Sequence, residues 1–337
     1  MTYQITLKPS GHNYTVGDGE ILLEAALDAG FVLPYGCRNG ACGSCRAKIL
    51  EGTVDHGRSQ KGALPDNARS EGYALLCCAT AQSDLVIECR ELADSSEYPV
   101  RIMPCRVQGL DRLADDVMRM TLKLPVNERL AFRAGQYIEF MLKGGGRRAF
   151  SIANAPHDDA LLELHIRRID DGKFTGHVFD AMQIKEILRF EGPHGTFHLR
   201  EESDKPIILL AGGTGFAPLK SIVEHALHNG ITRPMKLYWG ARNRAGLYMH
   251  ALAQQWAAEH AHIEYIPVLS EAGSDDAWSG RTGLVHEAVL EDLADFSPYQ
   301  VYACGAPGMI DAARDDFCAQ GLPADDFFAD AFTFSTM

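Results

Sequence analysis

No stretch of the chain approaches the roughly 18 consecutive apolar residues that a membrane-spanning helix requires, so no membrane partner is expected. The opening MTYQITLKPS has neither the basic nor the apolar half of an export signal, which points to a cytoplasmic protein. Positive charge is scarce as well. With 32 Lys and Arg against 45 Asp and Glu, the formal net charge is −13. That is the wrong sign for a chain whose main partner is nucleic acid, because such binding is driven by clustered cations that release counterions. Internal repeats and low-complexity tracts are absent. Nine cysteines, an odd number, cannot all be paired, which excludes a complete disulfide framework.

What remains is ordinary globular material, 46% hydrophobic and 23% charged over 337 residues, enough for two or three domains. Charge divides it into zones. Residues 1–92 carry 8 basic and 11 acidic side chains, residues 101–200 carry 16 and 13, and residues 201–337 carry 8 and 19. The stretch ELADSSEYP at 91–99 is short, polar and closed by a proline, and reads as a linker. The expected boundaries are a domain over 1–92, a linker over 93–100, a second domain over 101–202 and a third over 203–337.

The pattern of apolar residues differs between zones. In the first, alternation at 3–8 and around Tyr14 predicts a strand hairpin, and Asp18 is placed to cap a helix carrying Ile21, Leu22, Ala25, Ala26 and Leu27. In the second, short β runs separated by turn residues, with one helical interruption at 175–182, point to a barrel or sandwich. In the third, PIILLAGG, MKLYWG, IEYIPVLS and QVYACG alternate with helical stretches, the signature of a doubly wound parallel sheet.

Three of the nine cysteines crowd into one loop. The spacing Cys37-x4-Cys42-x2-Cys45, followed after 31 residues by Cys77, is the plant-type [2Fe-2S] ligand pattern. Two irons need two terminal thiolates each to complete their tetrahedra, and Gly36, Gly40 and Gly43 let the loop curl so that backbone N–H groups face the sulfurs. A zinc knuckle is the alternative for four thiolates. Cys78 adjoins Cys77 and competes for the fourth position; the GYALLC pattern selects Cys77 and leaves Cys78 to packing.

Further on, Arg148-Ala149-Phe150-Ser151 follows Gly135-Gln136-Tyr137, and GKFT and GPHGTF come after. With these motifs in order, the whole chain resembles the ferredoxin reductase superfamily with an N-terminal plant-type ferredoxin domain. It is most similar in pattern to reductase components of bacterial oxygenases and to the CDP-6-deoxy-glucoseen reductase type. The resemblance implies a β-grasp ferredoxin-like domain, an antiparallel β-barrel flavin domain and a doubly wound α/β nicotinamide domain. It implies FAD held by Arg148 at the pyrophosphate, Phe150 on the isoalloxazine face and Ser151 near N5. Gly172 and Thr175 match a second pyrophosphate contact at a helix start. Phe150 stands where the family carries Tyr, which keeps the stacking surface and removes a hydroxyl.

The third zone carries a glycine loop, Gly212-Gly213-Thr214-Gly215, between an apolar strand and a helix, as a phosphate-cradling turn requires. The resemblance adds Arg242 and Glu271 at later strand ends and Cys304-Gly305 beside the nicotinamide. It places Asp330 and Phe332 near the flavin, Asp330 being one methylene shorter than the family Glu. The segment SEAGSDDAW contains Glu271, Asp275 and Asp276 and no base, so NADH is expected over NADPH, whose 2′-phosphate needs a cation. The pairs His225/His228 and His260/His262 lack a third ligand pattern and read as solvated surface.

Together these features predict an enzyme, an NADH-dependent iron–sulfur flavoprotein reductase. Electrons would pass from NADH to FAD to [2Fe-2S] and on to a separate acceptor protein, an oxygenase or a dehydrase, from a monomeric reductase. A free flavin or quinone reductase, or a redox sensor with the same cofactors, is the alternative.

Overall fold

The computed structural model describes residues 1–92 and 98–332. The centre of the expected linker, 93–97, and the side chain of Asp275 lie outside the described residues. The chain folds as two compact units. Among the described residues, one comprises 1–92, 306–311 and 329–332, and the other 98–305 and 312–328.

The first unit is built on β1 (Thr2–Lys8), β2 (Asn13–Gly17), α1 (Leu22–Asp28), β3 (Arg46–Glu51), β4 (Val54–Asp55), α2 (Asp66–Ser70), β5 (Tyr73–Leu75), β6 (Thr80–Ala81) and β7 (Leu85–Glu88). Five of the strands form a mixed sheet in the order β2-β1-β7-β3-β5. The alternation read at 3–8 is real, since Ile5 and Leu7 face a core shared with Leu22, Leu23 and Ala26 of α1. Asp18 does not cap that helix. Residues 17–20 form a turn of their own, with Glu20 N–H bonded to the Gly17 carbonyl and the Glu20 carboxylate to Gly17 N–H, so the helix begins after Ile21.

The second unit opens with β8 (Arg101–Ala114), β9 (Val117–Lys123), β10 (Tyr137–Met141), β11 (Arg147–Ser151), β12 (Leu162–Arg167), α3 (Lys173–Asp180) and β13 (Ile187–His194). The strands pair antiparallel in the order β11-β10-β13-β8-β9-β12, and a bridge between Ile152 and Leu164 joins the two outer members. A single apolar interior results, packed with Met103, Met120, Phe140, Ile152, Leu164 and Phe190.

The chain continues through β14 (Ile207–Gly212), α4 (Phe216–His228), β15 (Met235–Ala241), α5 (His250–Glu259), β16 (Ile263–Leu269), β17 (Arg281–Thr282), α6 (Val285–Asp292), β18 (Gln300–Gly305), α7 (Pro307–Ala319) and β19 (Phe327–Ala331). The sheet order is β17-β16-β15-β14-β18-β19, with β14 parallel to both β15 and β18. Ile207, Ile208, Leu209 and Leu210 are all buried, as expected of a strand covered on both faces. The order reverses at β14, so ligands of such sheets settle at its carboxyl end, between β14 and β18. Among the described residues no helix is long and apolar enough to cross a membrane.

Candidate functional site

The cysteine loop between α1 and β3 folds back on itself around sulfur. Cys42, Cys45 and Cys77 are buried and Cys37 half-buried. The amides of Cys37 and Ser44 approach Cys42 Sγ at 3.4 and 3.5 Å. The Cys37 thiol hydrogen-bonds to Cys42 Sγ, which lowers Cys42 to about 5 and pushes Cys37 well up. Cys77 is hydrogen-bonded to Cys45 and feels the charge of both Cys45 and Cys42, so all four predicted ligands converge. Four thiols with amides aimed at sulfur suit an iron–sulfur cluster. Cys78 Sγ lies 3.7 Å from Cys77 Sγ and is hydrogen-bonded to Arg58. It fills the space where Gly40, at φ +80°, has no side chain, for a Cβ there would meet Cys78 Sγ at 2.7 Å. Within the same unit Ser44, between two of the four cysteines, donates its hydroxyl to the Ala329 carbonyl at 2.7 Å.

In the barrel, β11 carries Arg148, Phe150 and Ser151. Strand alternation places Arg148 and Phe150 on one face and Ser151, buried and paired with Tyr137, on the other. Phe150 packs against Phe174 of α3 at 5.6 Å between centroids, which ties the start of that helix to the same strand. Gly172 is its N-cap, and the Thr175 hydroxyl turns inward, accepting from Ile169 N–H and donating to the Gly172 carbonyl.

The glycine loop forms a tight turn at 213–215 between β14 and the 13-residue helix α4, and the helix start offers amides to an anion. Trp239 of β15 stacks on Phe216 at 3.9 Å and donates its indole N–H to the Gly213 carbonyl, fixing the turn. Gly215 allows β18 to come against it, since a Cβ there would sit less than 3.0 Å from the carbonyl of Cys304. Cys304 is fully buried at the end of β18, with Gly305 next. Arg242 and Glu271 are exposed and joined through the Glu271 N–H to Arg242 carbonyl bond. Asp330 is buried on β19 and Phe332 half-buried beyond it.

Sequence reasoning missed a second layer at this end of the sheet. The Arg167 guanidinium of β12 lies over the glycine loop, such that a Cβ on Gly213 would come within 3.2 Å of it. Its Nε is buried without a hydrogen bond, 3.5 Å from Asp116. A cation held over a glycine turn at a helix start fits a dinucleotide pyrophosphate. Tyr248 joins it: burial raises its phenol well above the ordinary range, with Arg167 opposing and Cys304 adding. His165 Nδ1 is 3.0 Å from the Tyr248 hydroxyl and its Nε2 2.9 Å from Glu163. Burial lowers the His165 imidazole from its ordinary range, against the pull of Glu163. For Glu163, burial acts upward but is outweighed by His165 and Lys220, and the carboxyl falls to about 2. Only the HIRR run of β12 hinted at these residues, and it reads equally as a strand with a basic edge.

Among the described residues, one other group has metal-ligand chemistry, Glu139, Glu191 and His194 within 4.8 Å of one another. Arg147 already neutralises it, meeting Glu191 at 2.9 Å and Glu139 at 3.3 Å.

Three family models match in succession: a 2Fe-2S iron–sulfur cluster binding domain over residues 5–82, an oxidoreductase FAD-binding domain over 104–199 and an oxidoreductase NAD-binding domain over 209–315. The CDP-6-deoxy-L-threo-D-glycero-4-hexulose-3-dehydrase reductase of Yersinia pestis is 40% identical, over 98% of this chain and 99% of its own. The phenol 2-monooxygenase reductase component DmpP of Pseudomonas sp. strain CF600 is 37% identical over 98% and 95%. The crystal structure of the Amycolatopsis cytochrome P450 reductase GcoB superposes with a TM-score of 0.77 at 33% identity, covering 98% of each chain. A cysteine quartet, a flavin barrel and a glycine-loop sheet in this order, shared along nearly full length with such proteins, place the chain in the family of iron–sulfur flavoprotein reductases that bind a [2Fe-2S] cluster, FAD and NAD.

Proposed function

We propose that this reductase takes electrons from NADH and delivers them singly to a separate protein, a sugar-nucleotide dehydrase or an oxygenase component. It would act as a single cytoplasmic chain of three successive domains over 1–92, 101–202 and 203–337. The observation that carries the reading is the convergence, inside one compact unit, of the glycine loop, Cys304 and Arg167 at the carboxyl end of β14. When bound, NADH supplies a hydride, FAD divides its electron pair and the cluster passes single electrons onward.

The chain's own residues bind and orient. The α4 amides and Arg167 hold the dinucleotide phosphates, while Cys304 and the strand end at Gly305 set the floor for the nicotinamide. Arg148 and the start of α3 hold the flavin phosphates, Phe150 covers a ring face and Ser151 offers a hydroxyl near N5. Cys37, Cys42, Cys45 and Cys77 hold the cluster, and the amides at Cys42 favour its reduced state.

NADH over NADPH is supported by the 271–276 segment. The Asp276 carboxylate is pinned by the amides of Gly273 at 2.8 Å and Arg244 at 2.9 Å, which lower it, and Arg244 Nη1 is bonded to the Asp276 carbonyl. A fixed carboxylate beside Arg244 disfavours a 2′-phosphate. The dehydrase reading is favoured by the 40% identity to the Yersinia pestis reductase.

The experiment is an anaerobic titration of the purified protein with NADH and, separately, NADPH. The flavin should bleach first, the cluster signal should follow by electron paramagnetic resonance, and kcat/KM should be higher with NADH. A protein that reduces free flavin or quinone at full rate after Cys42→Ser, or one that prefers NADPH, overturns the corresponding part.

A further inference from the structure

A buried ammonium joins the flavin barrel to the dinucleotide helix. Lys220, in the second turn of α4, is 6% exposed. Its Nζ lies 2.9 Å from Glu224 on the same helix, 3.3 Å from Glu163 on β12, and 3.3 Å from the carbonyl of Ala153, to which it donates. The next residue, Ser221, is fully buried and donates its hydroxyl to the Asn154 carbonyl at 2.7 Å. Ala153 and Asn154 directly continue β11, two and three residues beyond Ser151. The Ala153 amide donates to the Glu163 carbonyl at 2.7 Å, and the Glu163 amide to Asn154 Oδ1 at 2.8 Å.

Removing an ammonium from water is costly, and an unpaired carboxylate left in the interior more so. A lysine serving only to fill space would be replaced by Leu or Met without loss. Here each donor is aimed at a backbone carbonyl of the segment leaving the flavin strand, and both come from the helix that directly follows the glycine loop. Fixing these two carbonyls to α4 fixes the distance between the end of β11 and that loop.

We propose that Lys220, seconded by Ser221, is a positioning residue for hydride transfer, setting the register of the flavin strand against the nicotinamide-binding turn. This rests on the proposed function, with flavin at β11 and nicotinamide at the β14–β18 end. Lys220 touches neither reactant. It acts through Ala153, Asn154 and Glu163, and its removal perturbs geometry more than affinity, since misplacement by about 1 Å can cost about 100-fold in rate while the phosphate contacts persist.

The test compares Lys220→Met, Lys220→Arg and Ser221→Ala with the unsubstituted protein. Anaerobic stopped-flow should show flavin reduction at saturating NADH slowed at least about 10-fold in Lys220→Met and about 3-fold in Ser221→Ala, with NADH affinity within about 3-fold of the parent. Lys220→Arg, which keeps a cationic donor, should recover part of the loss. Two readouts are independent of turnover. Amide hydrogen exchange over residues 152–163 should rise in Lys220→Met before any flavin is added, and the long-wavelength charge-transfer absorbance of the NADH complex should weaken. If Lys220→Met does not accumulate as folded protein, Ser221→Ala carries the test alone. An unchanged rate with unchanged exchange overturns the inference, as does a loss confined to NADH affinity. Failure of the parent protein's flavin to be reduced by NADH would instead overturn the functional reading.

Discussion

The closest backbone approach in the dinucleotide site gives the sharpest prediction. A methyl group at Gly215 would lie less than 3.0 Å from the carbonyl of Cys304, where no flexible side chain can yield. Ordinary contact between such atoms is about 3.5 Å, so the turn at 213–215 must withdraw from β18 by more than about 1 Å. Overpacking of this kind costs about 1–3 kcal/mol of stability. For a unit of this size that is roughly 2–10 °C in Tm. The functional cost is larger in proportion, because the same movement separates the turn proposed to bind phosphate from the proposed floor for the nicotinamide. A displacement of about 1 Å corresponds to about 100-fold in the rate of hydride transfer. Gly215→Ala is therefore expected to retain flavin and iron, to melt a few degrees lower and to reduce its flavin about 100-fold more slowly. Stopped-flow reduction by NADH and a thermal scan read both quantities. A variant whose flavin is reduced within about twofold of the parent rate would refute the idea that close approach of β18 sets the site.

Two further outcomes are expected. Cys77→Ser should lose the cluster and its iron while keeping flavin, whereas Cys78→Ser should keep about two irons per chain; iron retention by the former with loss by the latter would reverse the ligand assignment. Acid sensitivity should be traceable to His198, whose half-buried ring lies against Arg200 at 2.8 Å and Arg133 at 3.3 Å. Burial, and then Arg200, lowers the imidazole to about 3. A folded value below the unfolded one of about 6.5 means the contribution is present above about pH 6.5 and is lost as pH falls toward 3. Between about pH 7 and pH 5 that is of order 1–2 kcal/mol, measurable by urea unfolding, and His198→Gln should flatten the slope. A slope unchanged by the substitution would show that other groups govern it.

The 2Fe-2S domain was legible in the sequence because three of the four proposed ligands lie within nine positions of one another, so spacing carries much of the local geometry. The glycine loop was legible for a similar reason, being bounded by its own strand and helix. The layer of Arg167, Tyr248, His165 and Lys220 was not, since its members come from β12, the second turn of α4 and the loop after β15, and meet only when barrel and sheet pack together. A buried lysine has no local signature that separates it from a solvated one. Thr175 was readable as a hydroxyl at a helix start, but its partners Ile169 and Gly172 are set by the turn, not by the motif. Asp18 shows the converse, a good capping residue in sequence terms that a competing turn at 17–20 removes from the helix start.

The bond from Ser44 to the Ala329 carbonyl also bears on how the protein is made. The cysteine loop leaves the ribosome first, and the strand residue that caps its serine is added some 285 positions later. At a translation speed of about 5–20 residues per second, the loop waits on the order of 14–57 seconds for that partner. Iron insertion during this interval would meet a loop lacking one of its native restraints, and a nascent chain stalled before residue 329 would carry all four ligands without the contact that helps hold them.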